Sequence, residues 1–327
     1  MSLPRFKLLR PTSIEEALGQ LNRYAGRIQI VAGGTDVLPS MRQKLFEPEF
    51  VLDIRGIEEL QKIKVLSAFG VELGALVTLS TIEDSDYIQR NYPVLHEAVK
   101  TVASPILRNM GTIGGNICLD TRCLWYNQSL TWRKSCGFCI KKDGDLCHVA
   151  PGGKKCWAAF SGDTPPALLC LDAELEIAGP KGFRRIPLAD FYTGLGDMRM
   201  RLESDELLTR VFLPEAASGY RGAYLKLRVR GSIDYPLAGI AVALKKPNGV
   251  VEDARMAITA VNPAPMLVPE AARALIGKPL DEHSAVAVGD LAARAAKPLT
   301  TSALTPEYRR EMVRVFAKRA VLQAARE

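Results

Sequence analysis

Residues 118–156 read CLDTRCLWYNQSLTWRKSCGFCIKKDGDLCHVAPGGKKC and hold six of the seven cysteines in a 327-residue chain. Thiolates gathered in one stretch bind soft metals, exchange electrons or pair as disulfides. A disulfide framework belongs to small secreted domains, and this chain has neither mark. Its start, MSLPRFKLLRPTS, lacks the apolar run of a signal peptide. The longest apolar run, near 237–244, is far too short to cross a bilayer. The expectation is a cytoplasmic chain with no membrane partner, whose cysteines hold a metal or do redox work. Cys136 and Cys139 make the lone C-x-x-C, and His148 beside Cys147 leaves a Cys3His zinc site open. Trp125, Tyr126, Trp132, Phe138 and Trp157 lie among these residues and could screen a metal centre from water, or only pack the segment. From Cys118 to Phe160 seven basic residues face three acidic ones, so this stretch carries +4 of the net +7. That charge is either a solvated lysine face or an attraction for an acidic partner.

Two glycine turns offer a second chemistry. VAGGTDVL (31–38) puts Gly33 and Gly34 directly after a short apolar strand, and GTIGGN (111–116) repeats the device about eighty residues on. Glycine lets backbone N–H groups approach an anion closely, and Thr35 adds a hydroxyl. Neither turn matches G-x-G-x-x-G or a Walker lysine pattern, and each alone reads as a tight turn. A nucleic-acid site built on the basic, tryptophan-rich stretch would leave both turns without a role, so no nucleic-acid partner is expected.

The elements that must position these residues can be read in outline. Thr12 or Ser13 caps a first helix whose Ile14, Ala17, Leu18 and Leu21 form an apolar stripe, ended near Gly26. Strands are expected at RIQIV and near 50–54, then a strand and helix in VELGALVTLSTIEDS and a helix over 92–102. SGDTPPALLCLDAELEIAGP reads as turn, short helix and strand, and ELLTRVFLP as a closing strand. Beyond it AYLKLRVRG, LAGIAVALKK and ARMAITAV read as strands of one sheet, followed by helices at PEAARALIG and at the C-terminus. Thr305 and Pro306 start that last helix, with Tyr308, Met312, Val315 and Phe316 expected inward and Arg309 in solvent. No repeat and no regular βαβ series is present. The fold class is α+β, with units at 1–56, 57–215 and 216–327 and the cysteine stretch inserted in the second at about 118–158.

VAGGTDVLPSMR, RNMGTIGGN and SGDTPPALLCLDAELEI, in this order, resemble the FAD-binding subunit of molybdenum hydroxylases, and the resemblance runs from FKLLRPTSIEEAL to TPEYRREMVRVFAKRA. It implies a two-lobed FAD-binding domain followed by a smaller C-terminal α+β domain. It implies that Val31, Ala32, Gly33, Gly34, Thr35, Asp36, Val37 and Leu38 wrap the FAD pyrophosphate, and that Thr112, Ile113, Gly114, Gly115 and Asn116 line the flavin and its phosphate side. Asp163 and Lys226 match positions near the cofactor; read from the residues alone they are a turn acid and a strand lysine.

In ordinary members GGN reaches D-x-P-P-A-L-L in under a dozen residues, whereas here 46 residues separate Asn116 from Asp163. Roughly 35–40 residues are therefore extra, and a loop that long needs something to order it. The resemblance of this insertion implies a [4Fe–4S] cluster on Cys123, Cys139, Cys147 and Cys156, which lie 16, 8 and 9 residues apart. Such scattered spacing suits a cubane better than zinc, and Cys136 in place of Cys139 stays open. Cys118 and Cys170 are read as packed residues. The resemblance further implies a large subunit with molybdenum and its pterin, a small subunit with two [2Fe–2S] clusters, a dimer of such heterotrimers, and reduced ferredoxin as the electron donor. No catalytic residue is expected in this chain, which lacks a nucleophile, a triad or a molybdenum motif. An oxidising complex that passes electrons to NAD or quinone, with a zinc-ordered docking insert, is the alternative.

Overall fold

The computed structural model describes residues 2–67 and 70–326. Met1 and Glu327, the outer ends of the first and last predicted units, lie outside the described residues. Strand β1 (Lys7–Leu9) leads to helix α1 (Ile14–Arg23), where the Ser13 hydroxyl accepts from the Glu16 N–H and the Glu16 carboxylate accepts from the Thr12 N–H at 2.9 Å. This reciprocal cap starts the helix, and Ile14, Ala17 and Leu21 bury its apolar face. Strand β2 (Ile28–Val31), helix α2 (Val37–Arg42) and strand β3 (Phe50–Asp53) follow, and the three strands form a parallel sheet in the order β1-β3-β2. The parallel crossover β2–α2–β3 has no periodic signature in the sequence because α2 is six residues long and contains Pro39.

The next segment runs through β4 (Ile63–Leu66), β5 (Gly70–Gly74) and a string of short helices. These are α3 (Leu79–Glu83), α4 (Asp86–Asn91), α5 (Pro93–Lys100), α6 (Pro105–Arg108), α7 (Ile113–Ile117), α8 (Leu130–Ser135) and α9 (Thr164–Cys170). Strands β6 (Glu174–Gly179), β7 (Gly182–Pro187) and β8 (Leu207–Leu213) complete an antiparallel sheet of order β4-β5-β8-β6-β7. Leu73, Leu175 and Val211 of this sheet share a core with Leu95 of α5, Ile113 of α7 and Leu168 of α9. Cys170 is fully buried there and Cys118 packs at its edge.

The last sheet is antiparallel: β9 (Arg221–Leu227), β10 (Ala238–Lys245), β11 (Asp253–Thr259) and β12 (Met266–Leu267), ordered β12-β11-β10-β9. Ile240, Val242 and Leu244 face helices α10 (Pro269–Arg273), α11 (Glu282–Ala295) and α12 (Pro306–Arg326), while Ala241 and Ala243 join the core of the preceding segment. Cover on both faces explains the unbroken apolar run at LAGIAVAL.

Two readings of the C-terminal helices change. The inward face of α12 is Val313, Ala317, Ala320, Val321 and Ala324; Tyr308 is exposed, and Met312, Val315 and Phe316 are half-buried. Small alanines set this face because α11 and β9–β10 come close. Arg309 is fully buried, and its guanidinium donates to the carbonyls of Leu237 (2.9 Å), Leu299 (2.9 Å) and Ala260 (2.6 Å). Burial lowers its pKa to about 10. Helix α11 gave no clear signal, since Gly289 interrupts it; a Cβ there would stand 2.6 Å from the Arg314 carbonyl of α12.

Candidate cofactor and metal centre

The fold closes the two glycine turns on one another. Gly33 follows the end of β2, and a Cβ on it would lie 1.8 Å from the Met110 carbonyl oxygen, so only glycine permits this approach. Gly34 has φ +72°, which reverses the chain into α2. Val37 and Leu38 open that helix, and Asp36 stands at its N-cap without capping it. A Cβ on Gly111 would meet the Thr35 hydroxyl at 3.8 Å. The second turn is one helical turn, α7, because Thr112 caps it by accepting from the Gly115 N–H at 3.1 Å. Gly114 lies against Ala75, where a Cβ would sit 2.8 Å from its carbonyl oxygen. The N–H-rich backbones of Ala32–Asp36 and Thr112–Asn116 thus border one cleft, the arrangement an extended diphosphate requires.

The Asn116 side-chain oxygen accepts from the Thr164 N–H (3.1 Å) and hydroxyl (2.7 Å), which ties the second turn to the start of α9. Beside it Asp163 accepts from Lys226 Nζ at 3.0 Å and from the Tyr224 hydroxyl at 2.8 Å, while Lys226 also donates to the Thr101 carbonyl at 2.9 Å. The Lys226 side chain is 2% exposed and that of Asp163 4%. The strand-surface reading of Lys226 is therefore corrected to a buried ion pair. Burial raises the Asp163 pKa, and the Lys226 ammonium pulls it back. Burial, then the nearby Asp163 carboxylate, raises the Tyr224 pKa well above the phenol range. Tyr224 had a signal in the sequence: it lies two residues from Lys226 on β9, so both side chains share a face. Gly239 on β10 leaves room for its hydroxyl, where a Cβ would stand at 2.4 Å.

Cys123, Cys139, Cys147 and Cys156 line one small cavity with Trp125, Tyr126, Trp157, His148 and Lys141. No disulfide joins any of the seven cysteines. Cys136, at the C-cap of α8, is absent from the cavity wall. Trp132 stacks at an angle on Trp125, with ring centroids 5.5 Å apart, and Trp125 stacks on His148 at 4.4 Å. The His148 Nε2 is 2.6 Å from the Phe138 carbonyl. Gly137 and Phe138 both have positive φ, so the C-x-x-C makes a tight reversal that turns Cys139 inward. Gly196 closes on the fourth cysteine: a Cβ there would stand 2.7 Å from Cys156 Sγ. Burial pushes the thiols of Cys123 and Cys156 up to about 11. Lys141, almost fully buried, donates to Asp120 (2.9 Å), the Thr121 hydroxyl and the Gly196 carbonyl (2.7 Å), and lies over the Tyr126 ring.

The donor set suits an electron-rich group. Among the described residues no group of three or more His, Cys, Asp or Glu side chains is close enough to hold one metal ion, although four thiols face the same space. Five buried side-chain polar atoms lack a partner among the described residues, and three are N–H donors of the insert: Arg122 Nε, Asn127 Nδ2 and Arg133 Nη1. Each such donor costs about 1–3 kcal/mol unless an acceptor completes it. No other feature of the sequence pointed to Arg122 or to Tyr235, whose hydroxyl donates to Asp36 at 2.7 Å.

The chain was compared with known proteins. Residues 4–216 match the FAD binding domain in molybdopterin dehydrogenase, and residues 223–324 match the CO dehydrogenase flavoprotein C-terminal domain. It is 30% identical to the carbon monoxide dehydrogenase medium chain of Afipia carboxidovorans, over 98% of this chain and 96% of that one. It is 27% identical to the glyceraldehyde dehydrogenase medium chain of Sulfolobus acidocaldarius, over 98% and 99%. A chain in the structure of reconstituted CO dehydrogenase from Oligotropha carboxidovorans superposes with a TM-score of 0.82 at 29% identity, covering 100% of this chain and 99% of that one.

Proposed function

This chain belongs to the family of FAD-binding medium subunits of molybdenum hydroxylases, and from that premise we propose that it moves electrons between FAD and an iron–sulfur group held in its cysteine-rich insert. Bound FAD supplies the redox chemistry. The chain's own part is to offer backbone N–H groups at Gly33, Gly34, Gly114 and Gly115 to the pyrophosphate, and to keep water from the Asp163–Lys226 pair. Substrate chemistry would lie on a partner subunit carrying molybdenum and its pterin, with a small [2Fe–2S] subunit between.

The observation that carries the second cofactor is the meeting of Cys123, Cys139, Cys147 and Cys156 around one cavity without the close approach a single ion needs. Tetrahedral zinc, bonded at about 2.3 Å, draws its sulfurs together; a [4Fe–4S] cube holds four thiolates apart. The unpaired insert donors and the buried Lys141 ammonium favour a group of net negative charge.

Two directions of flow are compatible with this site. The relatives are named as dehydrogenases, which favours a complex that oxidises its substrate and sends electrons out through FAD to NAD or a quinone. The insert favours a second reading, the beta subunit of 4-hydroxybenzoyl-CoA reductase. There, in a dimer of heterotrimers, two electrons from reduced ferredoxin and two protons would convert 4-hydroxybenzoyl-CoA to benzoyl-CoA and water. The test is the double substitution Cys123→Ser and Cys147→Ser in the assembled complex. Iron and labile sulfide of this subunit are expected to be lost, with turnover from reduced ferredoxin abolished and turnover with an artificial acceptor retained. Ferredoxin-driven turnover that survives the substitution would refute the second reading, and iron that survives would refute both.

A further inference from the structure

Asp36 occupies the N-cap of α2, yet its carboxylate makes no capping bond, although such a bond stabilises a helix by about 1 kcal/mol. The carboxylate turns instead to two residues from distant parts of the chain. Arg122 Nη2 donates to it, and the Tyr235 hydroxyl donates to it at 2.7 Å. Arg122 Nη2 also donates to that hydroxyl at 2.8 Å, and its guanidinium lies 4.4 Å from the Tyr235 ring centroid. The triad joins the first glycine turn, the neck of the insert and the loop between β9 and β10.

The neck matters because of what Arg122 is attached to. Its backbone N–H and C=O pair reciprocally with Ala159, at 2.7 and 2.8 Å, so the two ends of the insert close on each other there. Its neighbour Cys123 is in the cavity wall, and Cys156 lies three residues before Ala159. A group that ties Cys123 to Cys156 therefore fixes the register of the neck and with it the reach of Arg122. At the other end, an unpaired Asp36 carboxylate beside the diphosphate cradle would repel FAD, and the guanidinium cancels that charge.

We infer that Arg122, held by Asp36 and Tyr235, is a positioning residue that couples the two cofactor sites, so that a filled cysteine cavity tightens FAD binding and bound FAD tightens retention of the cavity's group. By linkage the two factors are equal, and couplings of this kind amount to about five- to 150-fold. The inference rests on the cluster reading above.

The test measures the FAD dissociation constant of the full chain by flavin fluorescence, before and after iron is removed with a chelator, in the parent, in Arg122→Gln and in Tyr235→Phe. Chelation is expected to weaken FAD binding about tenfold in the parent. Arg122→Gln should start about tenfold weaker and respond little to chelation, and Tyr235→Phe, which deletes one half-exposed hydroxyl, should fall between. A purely structural Arg122 would leave the chelation effect intact in the variants. Iron present with an FAD affinity indifferent to it overturns the inference alone, as does a full chelation effect in both variants. A parent chain without iron and labile sulfide overturns the cluster reading and this inference with it.

Discussion

At the scale of residues, the chemistry-bearing side chains divide into those announced by motif and those placed only by folding. The glycines at 33–34 and 114–115 and the cysteines at 123, 139, 147 and 156 could be picked from the sequence, because tight turns and thiols have few substitutes. Tyr224, Tyr235 and Arg122 could not be so picked, since their partners lie 61, 199 and 86 residues away. The Asp163–Lys226 pair has the sharpest consequence for stability. Lys226→Met leaves a buried carboxylate without its cation and should cost about 3–5 kcal/mol in denaturant unfolding. Adding Asp163→Asn to that variant should restore most of the loss. Asp53, paired with Val31 in the β3–β2 register, gives a pH-dependent counterpart. The Arg55 guanidinium, hydrogen-bonded to its carboxylate, holds the Asp53 pKa below its usual value of 3.8. A depressed carboxylate stabilises the fold above its unfolded pKa and loses that contribution as pH falls through the folded value. Asp53→Asn should therefore lower urea stability at pH 7, and the gap between variant and parent should close under acid conditions near pH 3. A gap of equal size at both pH values would contradict the pairing.

At the scale of elements, reciprocal capping and alternation made α1, β8 and β9–β11 legible, while helices whose packing depends on close approach were not. Helix α11 carries Gly289 where it crosses α12, a contact no single-segment pattern contains. Helix α12 shows an outward Tyr308 and an inward Arg309 because three carbonyls at the ends of other elements complete that guanidinium. The two cofactor turns obey the same rule of close approach. Gly33→Ala would drive a methyl into the Met110 carbonyl and push the turns apart. Strain of about 1–3 kcal/mol should weaken FAD binding roughly ten- to a hundredfold in a flavin titration. Gly19→Ala, in α1 with nothing within 4 Å of the new methyl, should leave FAD binding unchanged.

At the scale of the whole molecule, the insert is a bridge rather than an appendage. Leu45 and Phe46 of the first unit pack with Tyr126, Cys123 and Cys139, and the buried Arg133 donates to the Lys44 carbonyl at 2.6 Å. The Leu124 N–H donates to the Thr301 carbonyl at 2.8 Å, and Lys141 reaches Gly196. A 46-residue interval without a regular pattern showed where the insert begins and ends, but not these anchors, which come from every unit of the chain. Among the described residues no helix is long and apolar enough to cross a membrane. The FAD cleft and the thiol cavity share Arg122 and the neck of the insert, so electrons have a short, packed route between them. The most direct measurement is a visible spectrum of the purified complex with counts of iron, labile sulfide, zinc and FAD assigned to this subunit. The expected result is brown absorption over the flavin bands, with about four iron and four sulfide per FAD held by this chain and no zinc. A yellow subunit with zinc, or with no metal, between those four sulfurs would contradict it.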